Sequence, residues 1–253
     1  MIDEVIMKLG EDIDKAFSEE NNNQLRYCIE KAESLRTNCT NPDDVAVLEY
    51  FMGNAWSNLD SICCKTHYKN WDYKRVGHIN AIKSFRKCVL TENVSDGIRN
   101  NIFLQAFTNL GNMFSESGRI VYAIECWKKA LKIEPTFGMA GCNLGHGLIY
   151  YASYQYDVNH RNIILRCAYK LLQIYSNQPN IPKEVQSVFN SDIEYIEEIL
   201  SKDYLLGKRN FKKFSLGKSK KEKQYRKWIL ENGLYLNPLN DLFYNTAIAH
   251  DVT

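Results

Sequence analysis

Apolar residues recur every three or four positions in residues 102–116 and again in residues 121–133. This spacing predicts two amphipathic α-helices, each with one apolar face. Ser117 and Gly118 interrupt the pattern and predict a turn. Pro135 marks the end of the second helix, because proline has no backbone N–H and cannot continue a helix. The stretch is therefore predicted to form a helical hairpin.

Small residues occupy the positions at which the two helices of this hairpin face each other. Gly111 lies on the first helix and Ala123 on the second. Small residues at facing positions let antiparallel helices approach closely, and large side chains such as Trp127 are expected to fill the space beside them. Such a hairpin is predicted to stack against further copies of itself.

Copies of the pattern occur on both sides. Leu110-Gly111 recurs 34 residues later as Leu144-Gly145, and upstream as Met52-Gly53. Repetition at this period predicts an all-α solenoid of stacked hairpins.

Both copies are longer than the central hairpin. The upstream copy has its second helix at residues 79–88 and carries about 16 extra residues near 61–76. The downstream copy has its second helix at 162–175, after a predicted loop at 154–161. We therefore expect irregular loop insertions in the array.

The central hairpin resembles a tetratricopeptide (TPR) repeat. The residues at the eight consensus positions are Phe107, Leu110, Gly111, Phe114, Ala123, Trp127, Ala130 and Pro135. Segments 46–93 and 138–179 resemble the repeat in part, and a degenerate pair of helices is expected at 1–36. The resemblance covers residues 1 to about 180. It implies a groove, lined by the first helix of each hairpin, that binds extended peptides or helices of partner proteins.

The repeat register places a set of polar side chains in this groove. They are Tyr50, Asn54, Thr108, Asn112, Asn143 and His146. In the peptide-binding members of the family, asparagine at the position shared by Asn54 and Asn112 hydrogen-bonds a partner backbone, a role that suits an uncharged donor and acceptor. The alternative is that these side chains are only solvated polar residues. Lysines that would hold a terminal carboxylate are not evident, since Thr108 and Cys142 stand there.

Helix boundaries are also encoded outside the repeat. Asn41-Pro42 predicts a helix start, with asparagine as the N-cap and proline at the first helical position. Pro182 opens another helix, which is predicted to run to about Leu200 and to carry a solvated acidic face that includes Asp192. A change in composition there predicts two domains, a TPR-like helical repeat domain (1–200) and a basic helical extension (201–253).

The extension begins with a strongly basic segment. Residues 202–227 hold eleven Lys or Arg against Asp203 and Glu222, with aromatic residues interleaved. Cations neutralise phosphates and aromatic rings stack on unpaired bases, so contact with single-stranded RNA is one hypothesis. A solvated linker is the other. The candidate RNA-contacting residues are Lys208, Arg209, Lys212, Lys213, Lys220, Lys221 and Arg226.

A further helix is predicted in the extension. Ser219 and Glu222 form a capping box, and the helix is expected to run to about Asn232. Its apolar face, formed by Tyr225, Trp228 and Ile229, needs a covering surface, either another domain or a second subunit.

Residues 225–242 resemble the junction of a bacterial family in which TPR-like repeats precede a C-terminal HEPN domain. This resemblance implies a sensor or regulatory role beside a HEPN ribonuclease of a toxin or anti-phage defence system. None of the five histidines completes the Arg-x4–6-His signature of those nucleases. The chain itself is therefore not expected to be an enzyme, and the nuclease bundle would follow Thr253 or belong to another chain. A stand-alone TPR adaptor and an RNA-binding regulator remain alternatives.

Composition bears on the cellular compartment and on metal, cofactor and membrane binding. The net charge is +2, and the eight cysteines form no CxxC pair. They are interpreted as reduced thiols of a cytoplasmic protein. Cys63, Cys64 and His67 lack a second ligand pair, so no metal site and no cofactor are expected. The acidic N-terminus does not resemble a signal peptide, and no membrane partner is expected.

Overall fold

The computed structural model describes residues 2–67, 75–178 and 181–210, and the side chains of all these except 65–67 and 202–210. The α-helices are α1 (Glu4–Ser18), α2 (Asn22–Arg36), α3 (Pro42–His67), α4 (Val76–Leu90), α5 (Asp96–Ile98), α6 (Leu104–Glu116), α7 (Ile120–Ile133), α8 (Gly138–Ser153), α9 (Val158–Tyr175) and α10 (Lys183–Asn210). A π-helical turn, Arg99–Phe103, leads from α5 into α6. These residues contain no β-strand, so the all-α fold class is confirmed for the described chain.

The helices pack as hairpins in two compact units. Unit 1 comprises residues up to Glu134 and unit 2 begins at Pro135. In unit 1, α1 packs on α2, α3 on α4 and α6 on α7, while in unit 2 α8 packs on α9 and α10 contacts both. The degenerate pair of helices expected at 1–36 is thus the α1–α2 hairpin.

A repeated contact between a glycine and a large side chain holds the hairpins together. A methyl group added to Gly111 would overlap the indole of Trp127, and one added to Gly53 would lie 2.5 Å from the ring of Phe85. In unit 2 the same contact joins Gly145 and Leu172. The large partners are buried, so the predicted close approach at small residues is confirmed.

Several helix ends follow the predicted local chemistry. α3 begins at Pro42, and the Asn41 side chain accepts from Asp43 N at 3.0 Å. α6 ends before Ser117, and Gly118 has a φ of +71°, a conformation that glycine adopts without steric cost. The predicted turn between α6 and α7 is confirmed.

Three elements run further than predicted. α3 continues to His67, so the first part of the predicted insertion is helical. α9 begins at Val158, because the Asp157 side chain caps it by accepting from His160 N at 2.9 Å. α10 continues past Leu200 to Asn210, since lysine and arginine are good helix formers and a change in charge does not end a helix. The predicted domain boundary at 200/201 therefore lies inside α10.

None of the described helices combines the length and the apolar character that crossing a membrane requires.

Candidate functional site

Polar side chains bridge the first helices of two hairpins in unit 1. Tyr50 Oη on α3 donates to Gln105 Oε1 on α6 at 2.6 Å, and Asn109 Nδ2 donates to Asn54 Oδ1 at 3.0 Å. The two pairs are four residues apart on both helices, so the helices run parallel and the pairs form successive rungs. We call these four residues the polar ladder.

Tyr50 belongs to the interior of unit 1. It is buried, and its ring centroid lies 5.6 Å from that of Phe51 and 6.2 Å from that of Phe85. Burial raises the pKa of its hydroxyl above the usual value. A neutral phenol that donates to Gln105 fits such a place, because a buried hydroxyl needs a hydrogen-bond partner. The predicted groove position is thus part of the packing between hairpins.

Thr108 and Asn112 support the packed tryptophan of the central hairpin. Thr108 is buried, and its hydroxyl donates to Leu104 O at 2.8 Å. The indole N–H of Trp127 lies 3.1 Å from Asn112 Oδ1 and 3.2 Å from Thr108 O. Asn112 therefore satisfies the one polar group of a buried ring.

The predicted groove residues of unit 2 have different surroundings. Both lie on α8, where Asn143 is partly buried, and His146 Nδ1 is 2.5 Å from Asp192 Oδ2 on α10. The His146 ring also meets the Tyr150 ring edge-on, with centroids 4.9 Å apart. The carboxylate of Asp192 was expected on a solvated face, but it is partly buried against the histidine.

The central hairpin matches a known family of helical repeats. Residues 104–137 match the family model of the tetratricopeptide repeat. The chain carries a TPR repeat. The match coincides with α6 and α7, so the fold of the described residues is all-α and TPR-like. No curated protein shows significant similarity to the chain.

The side chains on the first helices of the hairpins differ in exposure between the two units. In TPR repeats, partner proteins generally bind on the first helices of the hairpins. In unit 1 the polar ladder occupies that face of α3 and α6. In unit 2 tyrosines are exposed on α8 and on the neighbouring α10. Tyr150 on α8 is 49% exposed, its C-cap residue Tyr154 is 72% exposed, and Tyr195 on α10 is 48% exposed. Sequence reasoning missed all three, although Tyr150 follows His146 by one helical turn.

We refer to His146, Tyr150, Tyr154, Asp192 and Tyr195 as the aromatic surface of unit 2. The first three follow one another at intervals of four residues along α8 into its C-cap, and the last two are three apart on α10. Residues at these intervals share a helix face. Because His146 contacts both Asp192 and Tyr150, the two helix faces are continuous. The contact of Asp192 with His146 could not be predicted from the local sequence, because the two residues are 46 positions apart.

The cysteine on α8 near this surface is not activated as a nucleophile. Cys142 lies one turn before His146, but it is buried, and burial together with Asp192 raises its pKa to about 12. A thiol of that pKa stays protonated near neutral pH and is a poor nucleophile. In the described side chains no group of three or more histidine, cysteine or acidic residues is placed to hold a metal.

A buried polar cluster lies elsewhere in unit 1. Asp60 on α3 pairs with Arg75, the residue that precedes α4, and both are largely buried. His78 on α4 is buried too, with its Nδ1 3.7 Å from Glu116 Oε2. Burial, followed by the positive charge of Arg75, lowers the pKa of His78 below the usual 6.5. Both effects disfavour the protonated form of this histidine.

The candidate RNA-contacting residues lie at the end of α10 and beyond it. Lys208 and Arg209 lie on α10, of which only the backbone is described there. The remaining candidates, Lys212, Lys213, Lys220, Lys221 and Arg226, lie outside the described residues.

Proposed function

We propose that the chain is a protein-interaction or sensor module that binds a partner segment on the first helices of its hairpins. The TPR repeat at 104–137 supports protein interaction in general. The aromatic surface of unit 2 is the observation that carries the proposal. It exposes Tyr150 and Tyr154 on α8, the first helix of its hairpin, with Tyr195 on the neighbouring α10, and tyrosine is a frequent anchor of protein interfaces.

We propose further that the partner is a HEPN-type ribonuclease domain of a toxin or anti-phage system, which this chain regulates. The resemblance of residues 225–242 to a TPR–HEPN junction motivates this. The first test is the DNA sequence downstream of codon 253 and in the neighbouring genes. A helical domain with Arg-x4–6-His supports the proposal, and its absence there leaves a stand-alone TPR adaptor.

The groove in unit 1 is tested with Asn54→Ala combined with Asn112→Ala. If these amides bind a partner backbone, the double variant loses the partner in co-purification, with little dependence on salt. Because Asn112 also holds Trp127, the control is Trp127→Phe, which removes the indole N–H and keeps a smaller aromatic ring at this position. Unchanged binding by the double variant would reject these two residues as contacts.

RNA binding is the second candidate function, favoured by eleven Lys or Arg in residues 202–227. Replacing Lys212, Lys213, Lys220 and Lys221 by Glu is expected to abolish RNA binding. Wild-type affinity is expected to fall steeply as salt rises, because each phosphate contact releases counterions. Salt-independent affinity would contradict it.

We propose that the chain binds and does not catalyse. The measurement is incubation of the purified chain with labelled RNA and DNA. Cleavage that persists through purification would overturn this.

A further inference from the structure

The aromatic surface of unit 2 lacks a covering element among the described residues. Its three tyrosines are each about half exposed or more. Contiguous aromatic area of this kind is uncommon on a soluble protein and marks a place where something binds.

The surface extends along α10. Val188, Asp192, Tyr195 and Ile199 are spaced by four, three and four residues, which places them on one face of the helix. Val188 is 51% exposed and Ile199 is partly exposed. From Val188 to Ile199 the face is about 17 Å long, which is about three turns of helix.

The charge around this face is negative. Residues 183–201 contain five carboxylates and a single cation, Lys183. The carboxylates are Glu184, Asp192, Glu194, Glu197 and Glu198. An occupant of this face should therefore carry cations beside an apolar or aromatic stripe, since tyrosine rings also attract ammonium and guanidinium groups.

A segment beyond α10 combines a predicted apolar helix face with cations. The helix predicted at residues 219–232 has the apolar face Tyr225, Trp228 and Ile229. Its cations are Lys220, Lys221, Lys223, Arg226 and Lys227, against two glutamates. We propose that residues 219–232 dock, as a helix, on the aromatic surface of unit 2 in the same chain.

Chain length permits this docking. α10 ends at Asn210, about 17 Å along the helix from Ile199. The nine residues from Asn210 to Ser219 can span about 30 Å when extended, so the chain can turn back beside α10. A helix of 14 residues is about 21 Å long, which matches the exposed face.

The docking does not depend on the function proposed above.

Hydroxyl-radical footprinting of the full chain, read by mass spectrometry, tests the docking. In the wild type, docking should reduce the exposed fraction of Tyr150 and Tyr195 from about one half to about one tenth. The combined variant Trp228→Ala/Ile229→Ala should therefore raise their labelling rate about fivefold. Tyr27 and Tyr122, both well exposed in unit 1, serve as internal standards whose rates should not change.

Two further variants sharpen the result. Lys220→Glu/Lys223→Glu should also raise the labelling of Tyr195, because it reverses charges that face the acidic helix. Phe211→Ala/Phe214→Ala removes aromatic residues before the docking segment and should leave the rate unchanged. Circular dichroism checks that each variant keeps its helix content.

Two outcomes would overturn the proposal. Wild-type rates for Tyr150 and Tyr195 equal to those of the standards, and unaffected by Trp228→Ala/Ile229→Ala, would show an open surface. Protection that disappears on dilution would show that a second copy, and not the same chain, supplies the occupant.

Discussion

The two units use the same hairpin fold but differ in how far the polar and aromatic side chains on its first helices are exposed. In unit 1, Tyr50 and Asn54 bond to the next hairpin through the polar ladder. In unit 2, His146 bonds to Asp192, but the tyrosine next to it is left about half exposed. The position directly after the packed glycine, Asn54 in unit 1 and His146 in unit 2, thus bonds to a later helix in both units, and the units differ one turn further on, where Tyr150 is exposed.

This difference distinguishes the residues that pack the hairpins together, which we call the framework, from the residues that remain exposed. A glycine packed under a large side chain is common to both units, at Gly111 with Trp127 and at Gly145 with Leu172. What differs is the side chain four residues after the bonded polar residue, which is the partly buried Asn58 after Asn54 and the exposed Tyr150 after His146. A repeat pattern therefore predicts the framework, while the residues outside the consensus decide what each unit contacts.

The largest effects should come from breaking the shared framework. We expect Trp127→Ala in unit 1 to lower the free energy of unfolding by about 3–5 kcal/mol, and Leu172→Ala in unit 2 by about 2–5 kcal/mol, because both leave buried cavities. Tyr122→Ala, at an exposed position on α7, should change it by less than about 0.5 kcal/mol. Chemical denaturation measures all three. A small loss at either buried position would mean that the units do not share this framework.

The next largest effect should come from adding a methyl group at the packed glycines, and it should depend on the stiffness of the large side chain that each glycine contacts. A methyl group at Gly111 meets the rigid indole of Trp127, so Gly111→Ala should destabilise by about 1–3 kcal/mol. At Gly145 the methyl group would lie 2.8 Å from Leu172 Cγ and 3.3 Å from the backbone oxygen of Ala168, and this smaller overlap with a more flexible side chain should make Gly145→Ala cost less. Gly97→Ala is the control, since the only neighbour of its added methyl is Ser95 Oγ at 4.0 Å.

The same denaturation series decides the outcome. Equal losses at the two packed glycines would show that side-chain stiffness does not matter there. A loss at Gly97 as large as that at Gly111 would mean that helix close approach is not the cause.

The framework could be predicted from sequence because its signals are local. Gly111 and Trp127 are 16 residues apart within one hairpin, and Gly118 marks the turn between their helices. Helix period, small residues and breakers were enough to place α6 and α7. The C-terminal limit of α10 was missed, because a change from acidic to basic residues alters charge without altering helix propensity.

The surroundings of the candidate site residues could not be predicted in the same way. Asn54 meets Asn109 across 55 residues, and His146 meets Asp192 across 46. Such contacts depend on how hairpins pack, which periodicity within one helix does not report. Whether these residues bind a partner stays a prediction.

A smaller effect should follow pH and report on unit 1. The pKa of His78 is lowered in the folded state, by burial and then by Arg75, with Asp60, Glu116 and Arg119 as the other charged groups facing it. The unfolded chain, with a pKa of about 6.5, then takes up the proton first as pH falls. Stability should therefore decrease as pH drops through about 6.5, by at most about 1.4 kcal/mol per pH unit from this group.

Denaturation of wild type and His78→Gln between pH 5 and 7.5 measures this. The two curves should converge toward low pH, because the variant lacks the titrating group. Parallel curves over the whole interval would show that the burial of His78 has no part in the pH dependence.

The smallest expected effect compares one hydroxyl in each unit. Tyr50→Phe removes a buried donor and leaves Gln105 Oε1 without its 2.6 Å bond, so it should cost about 1 kcal/mol in the free energy of unfolding. Tyr150→Phe removes a hydroxyl from a side chain that is about half exposed, and should change stability by less than about 0.5 kcal/mol. Partner binding should show the reverse order, because Tyr150 belongs to the aromatic surface on which we propose that a partner binds, whereas Tyr50 is buried. A partner that is lost on Tyr50→Phe and kept on Tyr150→Phe would place recognition in unit 1 and contradict the division drawn between the two units.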